Sequence, residues 1–516
     1  MKWGCTVTCT FLIAMTALGR EAVRRKARCC VVFLLVALAF VGTTSCLAAA
    51  PVYDSTPWLD DLGQMREAFS AKYANFEWAV FEREADLPGL FSDTEKRIKS
   101  AGSDADARAA FDRLVRRLGD GHVELHWPKG SGGEHIGAVP DPCGHYDMAR
   151  RAKPLVSLAQ GYVPLDTPQS SIFPIGTITI GKHRVGVLKI AAFDPYATPA
   201  YCRSALAALS IPLDKPCDDS CEDRIGDWAE ARMNEGFIAQ VEALKRSKID
   251  TLLVDIADNG GGTDWAEAVA RMLTPIRVRS GRMDFVRGEH WVKKLGDLET
   301  SLRAAAKDAS SQDRQTLLKY AEEAEAKKAI AAMPCDAAPL WEGKHTPCPR
   351  LGTGFSATGV LASANPATLR GKSWASTVFA PMQYQYTEGL WRGPLIVLVD
   401  SGSASSSEEF AAELQDNGAA LIMGEPTYGA GCGHTDGGTP TTLANSHATL
   451  ELPDCVRLRA DGSNEVRGVL PDVLVGFRKG DGPHLRAAAF LAKLPEALAR
   501  LSPPSATTRK LRPVSK

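Results

Sequence analysis

The chain has 516 residues, 60 basic against 61 acidic side chains, a formal net charge of −1 and 45 % hydrophobic residues. This is the composition of a large globular protein. It excludes a nucleic-acid binder, because no stretch gathers enough Lys and Arg to neutralise a phosphate backbone.

The first fifty residues read as an export signal. A basic cluster, Arg24-Arg25-Lys26 with Arg28, precedes an apolar run from Val31 to Val41, and the small residues Ala48 to Ala50 follow before Pro51. The run is short for a membrane span, so no stable span is expected. A second apolar stretch, Thr6 to Leu18, lies ahead of the basic cluster and points to a translation start at Met15 or later. Thr43-Thr44-Ser45-Cys46 lacks the leading apolar residue of a lipobox, which disfavours a lipid anchor on Cys46. The expected mature chain begins near residues 47–51 and is periplasmic or secreted.

Of thirteen cysteines, five (Cys5, Cys9, Cys29, Cys30 and Cys46) lie in this leader, leaving eight. An even number in an exported chain favours disulfides. Cys217 with Cys221, and Cys335 with Cys348, are close in sequence and pair first. Cys432 with Cys455 would brace one loop, leaving Cys143 with Cys202. A zinc site is disfavoured, since no second Cys or His pair stands at finger-like spacing.

Residues 51–118 read as a separate helical domain. Trp58 to Tyr73 and Ala105 to Leu118 carry apolar residues at three- and four-residue spacing among mixed charges. Residues 119–283 would then open an α/β core. Its first segment, Asp120-Gly121-His122-Val123-Glu124-Leu125, places a histidine directly after the helices; a lone histidine is more often structural. Between Trp127 and His183 lie Gly- and Pro-rich turns. Arg184 to Ile190 reads as a strand, Phe237 to Leu244 as an amphipathic helix and Thr251 to Ile256 as a buried strand. That strand ends in Asp258-Asn259-Gly260-Gly261-Gly262 before a helix, Trp265 to Met272. Glycines at such a junction let backbone amides approach a ligand, and the G-x-G-x-x-G spacing of a dinucleotide site is absent.

Residues 284–350 read as an insertion, with Leu298 to Met333 as a surface helical hairpin rich in Ala, Glu, Lys and Gln. A solvated face with no role is its default reading; narrowing access to a site is the other. Residues 351–480 complete the core. Here Leu395 to Val399 is a buried strand, Ser401 to Ser407 a small-residue turn, and a helix with Phe410, Ala411 and Leu414 at helical spacing runs to Asn417-Gly418. Ser405-x-x-Glu408 and Ser406-x-x-Glu409 are capping-box patterns, and capping alone is the plain reading of such serines. The same strand, turn and helix N-terminus are also the parts that present a nucleophile beside an anion-stabilising site. Residues 481–516 read as a short amphipathic helix followed by a disordered Pro-, Ser- and Lys-rich tail.

The run from Gly402 to Gly431, GSASSSEEFAAELQDNGAALIMGEPTYGAG, resembles the signature of the carboxyl-terminal processing (tail-specific) serine peptidases and their relatives, the tricorn core protease and the retinoid-binding interphotoreceptor repeats. The resemblance covers most of residues 105–275 and 375–475. It implies an α/β, ClpP/crotonase-like core with an N-terminal helical domain and a helical insertion. It makes Ser405 the nucleophile and gives the oxyanion to the Gly261 and Ser406 N–H groups. At the position of the processing peptidases' general-base lysine this chain has Ala430, and no lysine occurs between Lys372 and Lys479.

The segment around His122 resembles the L-x-D-G-H-T-x-L segment of the tricorn-like branch, in which the histidine is the base. Asp461 to Asp472 resembles the E-G-x-G-V-x-P-D turn, in which Glu465 would orient that histidine. The interval before His183 is too short for the PDZ domain common in processing peptidases. The resemblance thus implies an exported serine peptidase acting on proteins or peptides with a Ser-His-Glu triad, without metal or cofactor. The alternative is an inactive protein on the same scaffold that binds peptides or apolar ligands; acyl-CoA chemistry on the related crotonase fold fits poorly with export.

Overall fold

The structure is a computed structural model that describes residues 53–128, 141–144, 155–213, 215–434, 440–478 and 480–501. Residues 1–52, where the export signal and Cys46 are expected, and the tail beyond Leu501 lie outside the described residues.

Seven strands, β1 (Val163–Leu165), β2 (Ile175–Ile180), β3 (His183–Lys189), β4 (Thr251–Asp255), β5 (Leu395–Val399), β6 (Leu421–Gly424) and β7 (Val473–Leu474), form one sheet whose spatial order follows chain order. β1 to β3 pair antiparallel and β3 to β7 run parallel. Central strands β4 and β5 are buried at every residue, which is why each reads as an unbroken apolar run rather than an alternating one. Leu252 and Val254 face a core with Phe237, Trp265 and Phe410, while Leu253 and Ile396 face Phe490 and Leu494 of the C-terminal helix Pro483–Leu501.

The β4–β5 register, Leu252 opposite Leu395 and Asp255 opposite Leu398, ends both strands at one level. Their following turns, Asp258–Gly262 and Ser401–Ser407, therefore meet at the carboxyl ends of adjacent parallel strands, where open α/β sheets place their ligands.

Helices α1 (Thr56–Lys72), α2 (Leu87–Lys99) and α3 (Asp104–Leu118) pack through Phe69, Phe91, Phe111 and Leu114. Their core also takes in Trp341 and Leu443 to Leu452. Helix α3 is capped by Ser103 and stops at Gly119 in the left-handed region, φ 66°. After it, Glu124–His126 pairs antiparallel with Thr449–Glu451. This short sheet ties the segment of His122 to the C-terminal half of the chain.

Helix α4 (Pro199–Ala208) precedes α5 (Asp219–Arg246), which is far longer than the segment legible from periodicity. Its start is fixed by Asp218, whose carboxylate accepts from Cys221 N at 2.9 Å, and by the Cys217–Cys221 disulfide across its first turn. Helix α6 is Trp265–Met272, as the sequence suggests. The insertion is a hairpin of α7 (Glu289–Asp308) and α8 (Ser311–Ala331). It is anchored by Trp291, whose indole N–H donates to Asp454 O at 2.9 Å, and by Leu295 against Phe285 and Cys455. Residues Arg282–Val286 form a small sheet with Cys455–Leu458 and Leu351–Gly352. The cysteines pair as Cys143–Cys202, Cys217–Cys221, Cys335–Cys348 and Cys432–Cys455.

Candidate active site

Ser405 stands between β5 and the helix Ser406–Asp416, with φ 56° and ψ −121°. A non-glycine residue held in the left-handed half of the map costs energy and persists only where its surroundings over-determine it. Here they do. Ser403 Oγ donates to Ile256 O at 2.8 Å, Ala404 N donates to Asn259 O at 3.0 Å, and Ser406 Oγ donates to Gly262 O at 3.0 Å. The two turns are thereby stitched together. Gly261, at φ 102°, makes the approach feasible: a side chain there would place its Cβ 2.8 Å from that of Ser405.

Glu408 completes the clamp. In the sequence it is only the far end of a capping box. In the structure its buried carboxylate accepts from Ser405 N at 3.0 Å, Gly429 N at 2.7 Å, Ala430 N at 2.8 Å and Thr427 Oγ1 at 2.5 Å. One side chain thus fixes both the serine turn and the loop that carries Ala430. Burial raises its pKa and the nearby Glu465 adds to this, while the hydrogen bonds from Thr427, Ala430 and Gly429 oppose both.

His122 arrives from the far end of the chain on the turn after α3. Asp120, itself buried, holds that turn by accepting from His122 N at 3.0 Å, Tyr73 Oη at 2.9 Å and Asn75 Nδ2 at 3.1 Å. The ring then lies with Nε2 3.1 Å from Ser405 Oγ and Nδ1 2.9 Å from Ala430 O. A carbonyl only accepts, so Nδ1 carries the hydrogen and Nε2 turns its lone pair to the serine. Burial lowers the pKa of His122, partly offset by the bond to Ala430.

The structure differs from expectation at Glu465. Its carboxylate does not touch the imidazole but is bound at both oxygens by Arg457, Nε at 2.8 Å and Nη2 at 2.5 Å. The reason is the cost of burying a guanidinium, which must be met by carboxylates; Glu409 takes Arg457 Nη1 at 3.1 Å. Burial works against the charge of Arg457, yet Glu409 and Glu465 together raise its pKa. From this position Arg457 reaches Ser405 O at 3.4 Å and Gly431 O at 3.3 Å. Glu465 is therefore one residue removed from the site, and the place expected for it at Nδ1 belongs to the Ala430 carbonyl.

The two expected oxyanion donors are placed differently. Ser406 N–H opens the helix, where no acceptor exists within the helix itself. Gly261 N–H donates to Asn259 Oδ1 at 2.9 Å, so its hydrogen is already shared.

Behind the serine helix, Glu267, Glu409 and Glu413 each bring an oxygen within 4.8 Å of the other two. All three are buried, with Arg271 against Glu267 and Glu413, and burial pushes the pKa of Glu267 up to about 8. Protons and two guanidinium groups answer this charge. A second acidic group, Glu124, His126 and Glu451, lies on the surface of the small sheet.

A sequence model of peptidase family S41 matches residues 184–475, more than half of the chain. A mixed sheet with a serine turn at the carboxyl edge of its parallel strands fits an α/β peptidase scaffold, and the chain belongs to peptidase family S41. Its fold is similar to that of mature CPAF, with a TM-score of 0.54 at 15 % identity over 87 % of this chain and 98 % of that one.

Among curated relatives, carboxyl-terminal-processing peptidase 2 of Arabidopsis thaliana chloroplasts is 60 % identical over 38 residues, 7 % of each chain. The carboxyl-terminal-processing protease of Picosynechococcus is 55 % identical over 38 residues, 7 % of this chain and 9 % of that one. The chain thus spans less than a tenth of the length of these relatives.

Proposed function

We propose that this protein is an exported serine peptidase that hydrolyses peptide bonds of proteins or peptides through an acyl-enzyme on Ser405. The observation that carries the reading is the His122 Nε2 to Ser405 Oγ distance of 3.1 Å, together with the Ala430 carbonyl that selects the proton-accepting tautomer. Ser405 Oγ attacks the scissile carbonyl while His122 takes its proton. His122 then gives that proton to the departing amine, and water repeats the sequence on the ester.

The Ser406 N–H and the helix dipole receive the oxyanion, with the shared Gly261 N–H as second donor. Glu465 supports the site through Arg457 rather than by holding the ring, so the carboxylate of the triad acts at one remove. Export is supported by the basic, apolar and small-residue leader and by four disulfides among the described residues.

The test is labelling with a fluorophosphonate probe, which requires an activated serine. Wild type should label, and Ser405→Ala and His122→Ala should not. A correctly folded wild type that neither labels nor cleaves an unfolded protein replaces this reading with that of a binding protein on a peptidase scaffold.

A further inference from the structure

The turn that follows α3 carries a buried carboxylate two residues before His122. Every group bonded to Asp120 is a donor: Oδ1 accepts from His122 N at 3.0 Å, and Oδ2 accepts from Tyr73 Oη at 2.9 Å and from Asn75 Nδ2 at 3.1 Å. The Asn75 amide is held in that sense by Asn464, whose Nδ2 donates to Asn75 Oδ1 at 3.0 Å. Burial, and then the charge of Asp120, raise the pKa of Tyr73 well above its usual value, so the phenol stays a donor. No bonded group is left to accept a proton from Asp120, and it stands as the anion.

Those donors are a peptide N–H, a phenol and a carboxamide. None is a cation. A carboxylate at 4 % exposure whose partners are all neutral keeps part of its desolvation cost, and a positive charge arising beside it recovers that cost. The peptidase reaction makes such a charge: His122 passes from neutral ring to imidazolium as it takes the Ser405 proton. An interaction that strengthens at that moment speeds the chemistry, whereas one present equally beforehand does not.

From this we propose, resting on the peptidase reading above, that Asp120 is the positioning residue that gives His122 its anionic support. It holds the histidine by the peptide N–H and stabilises the imidazolium through its charge, a task Glu465 leaves open by binding Arg457. Asp120 acts on the ring from the histidine's own turn. Arg457, from the strand Cys455–Leu458, and His434, with its ring centre 5.8 Å away and its Nδ1 3.1 Å from Glu451 Oε2, act in the opposite direction. Burial remains the largest influence on His122 and lowers its pKa, while the Ala430 bond and then the Asp120 charge oppose it. The N-terminal helices thereby take part in the chemistry, since Tyr73 and Asn75, which hold the carboxylate, directly follow α1.

The experiment measures fluorophosphonate labelling rates of Ser405 from pH 4 to pH 8 on wild type, Asp120→Asn, Asp120→Ser and Tyr73→Phe, each checked for folding by circular dichroism. Both Asp120 variants keep an oxygen able to accept from His122 N and lose the charge, so one remains if the other does not fold. With the anion gone the imidazolium is less favoured. The acid limb should move to lower pH by about half a unit or more, and the plateau rate above it should fall by about 5-fold or more. Tyr73→Phe removes a bond to the same carboxylate and leaves its charge, so it should not move the limb to lower pH. Folded Asp120 variants whose midpoint lies at or above that of wild type, whatever their rate, overturn the assignment and leave the peptidase reading standing. A Tyr73→Phe limb displaced downward as far as theirs does the same. A folded wild type that does not label overturns both.

Discussion

His122 Nδ1 and the carbonyl oxygen of Ala430 lie 2.9 Å apart, so the backbone of residue 430, and no side chain, holds the histidine ring from this side. The carbonyl fixes which nitrogen carries hydrogen, as a carboxylate would, but brings no full charge to raise the basicity of the ring.

This arrangement predicts a particular pH profile. The active form is the neutral imidazole, and burial lowers its pKa from the usual 6.5. Acidification should therefore abolish activity only below that value, with a single acid limb. Labelling rates measured from pH 4 to pH 8 check it. A midpoint well above 6.5 would mean that a charged partner, not a carbonyl, faces Nδ1.

Much of this was legible in the sequence where local pattern and resemblance coincide. β5, α6 and the start of the serine helix follow from apolar runs bounded by glycine or serine turns, and the four cysteine pairs follow from spacing and remainder. What was not legible depends on contacts between distant segments. Glu408 looks like a helix cap because its other partners, Thr427 to Ala430, lie one loop away. Glu465 looks like a histidine partner because nothing in the sequence says that Arg457 is buried beside it. The insertion looks solvated because its composition is polar, while α7 turns Trp291 and Leu295 inward and α8 buries Leu317, Ala321 and Ala324.

Glu465→Gln separates the two roles a carboxylate can have here. A carboxylate touching the ring would, on neutralisation, lower the pKa of His122 and move the acid limb. Because Glu465 binds Arg457 instead, the substitution should slow labelling and move that limb less than the loss of a direct ring partner would, through the less neutralised Arg457 alone. The same rates, measured across pH on the variant, decide between them.

Glu408→Gln should be more damaging than a lost cap. The amide offers one acceptor and two donors where four donors converge, leaving buried N–H groups of the serine turn and Ala430 loop unmatched. Each such group costs about 1–3 kcal/mol, so a fall in Tm of several degrees and near-complete loss of labelling are expected. Differential scanning fluorimetry and the probe assay measure both.

The carboxyl cluster behind the serine helix should make stability depend on pH. Glu267, with its pKa raised to about 8 by burial and then by Glu413, keeps a proton in the folded state that the unfolded chain releases near about 4.3. Its contribution is complete below the unfolded value and is lost as pH rises through about 8. Arg271, Glu409, Glu413 and Ser280 surround it, and Arg271 limits the loss. Glu267→Gln mimics the protonated form, so urea unfolding between pH 5 and pH 9 should show a smaller decline than wild type.

The Cys432–Cys455 disulfide closes a separation of 23 residues and sits next to Gly433, where a side chain would place its Cβ 3.0 Å from the His122 ring. His434, one residue further, bonds the His122 carbonyl. Opening this bridge therefore does two things. It releases a loop whose closure is worth about 3 kcal/mol in the unfolded chain, and it frees the segment that backs the histidine. Removing Cys335–Cys348, which spans 13 residues near Trp341 and away from the serine turn, should do only the first. The double variants Cys432→Ser/Cys455→Ser and Cys335→Ser/Cys348→Ser should both lower Tm, while only the former reduces the labelling rate of Ser405 in protein still folded at the assay temperature. Equal labelling by the two variants would show that the segment Cys432 to His434 does not position His122.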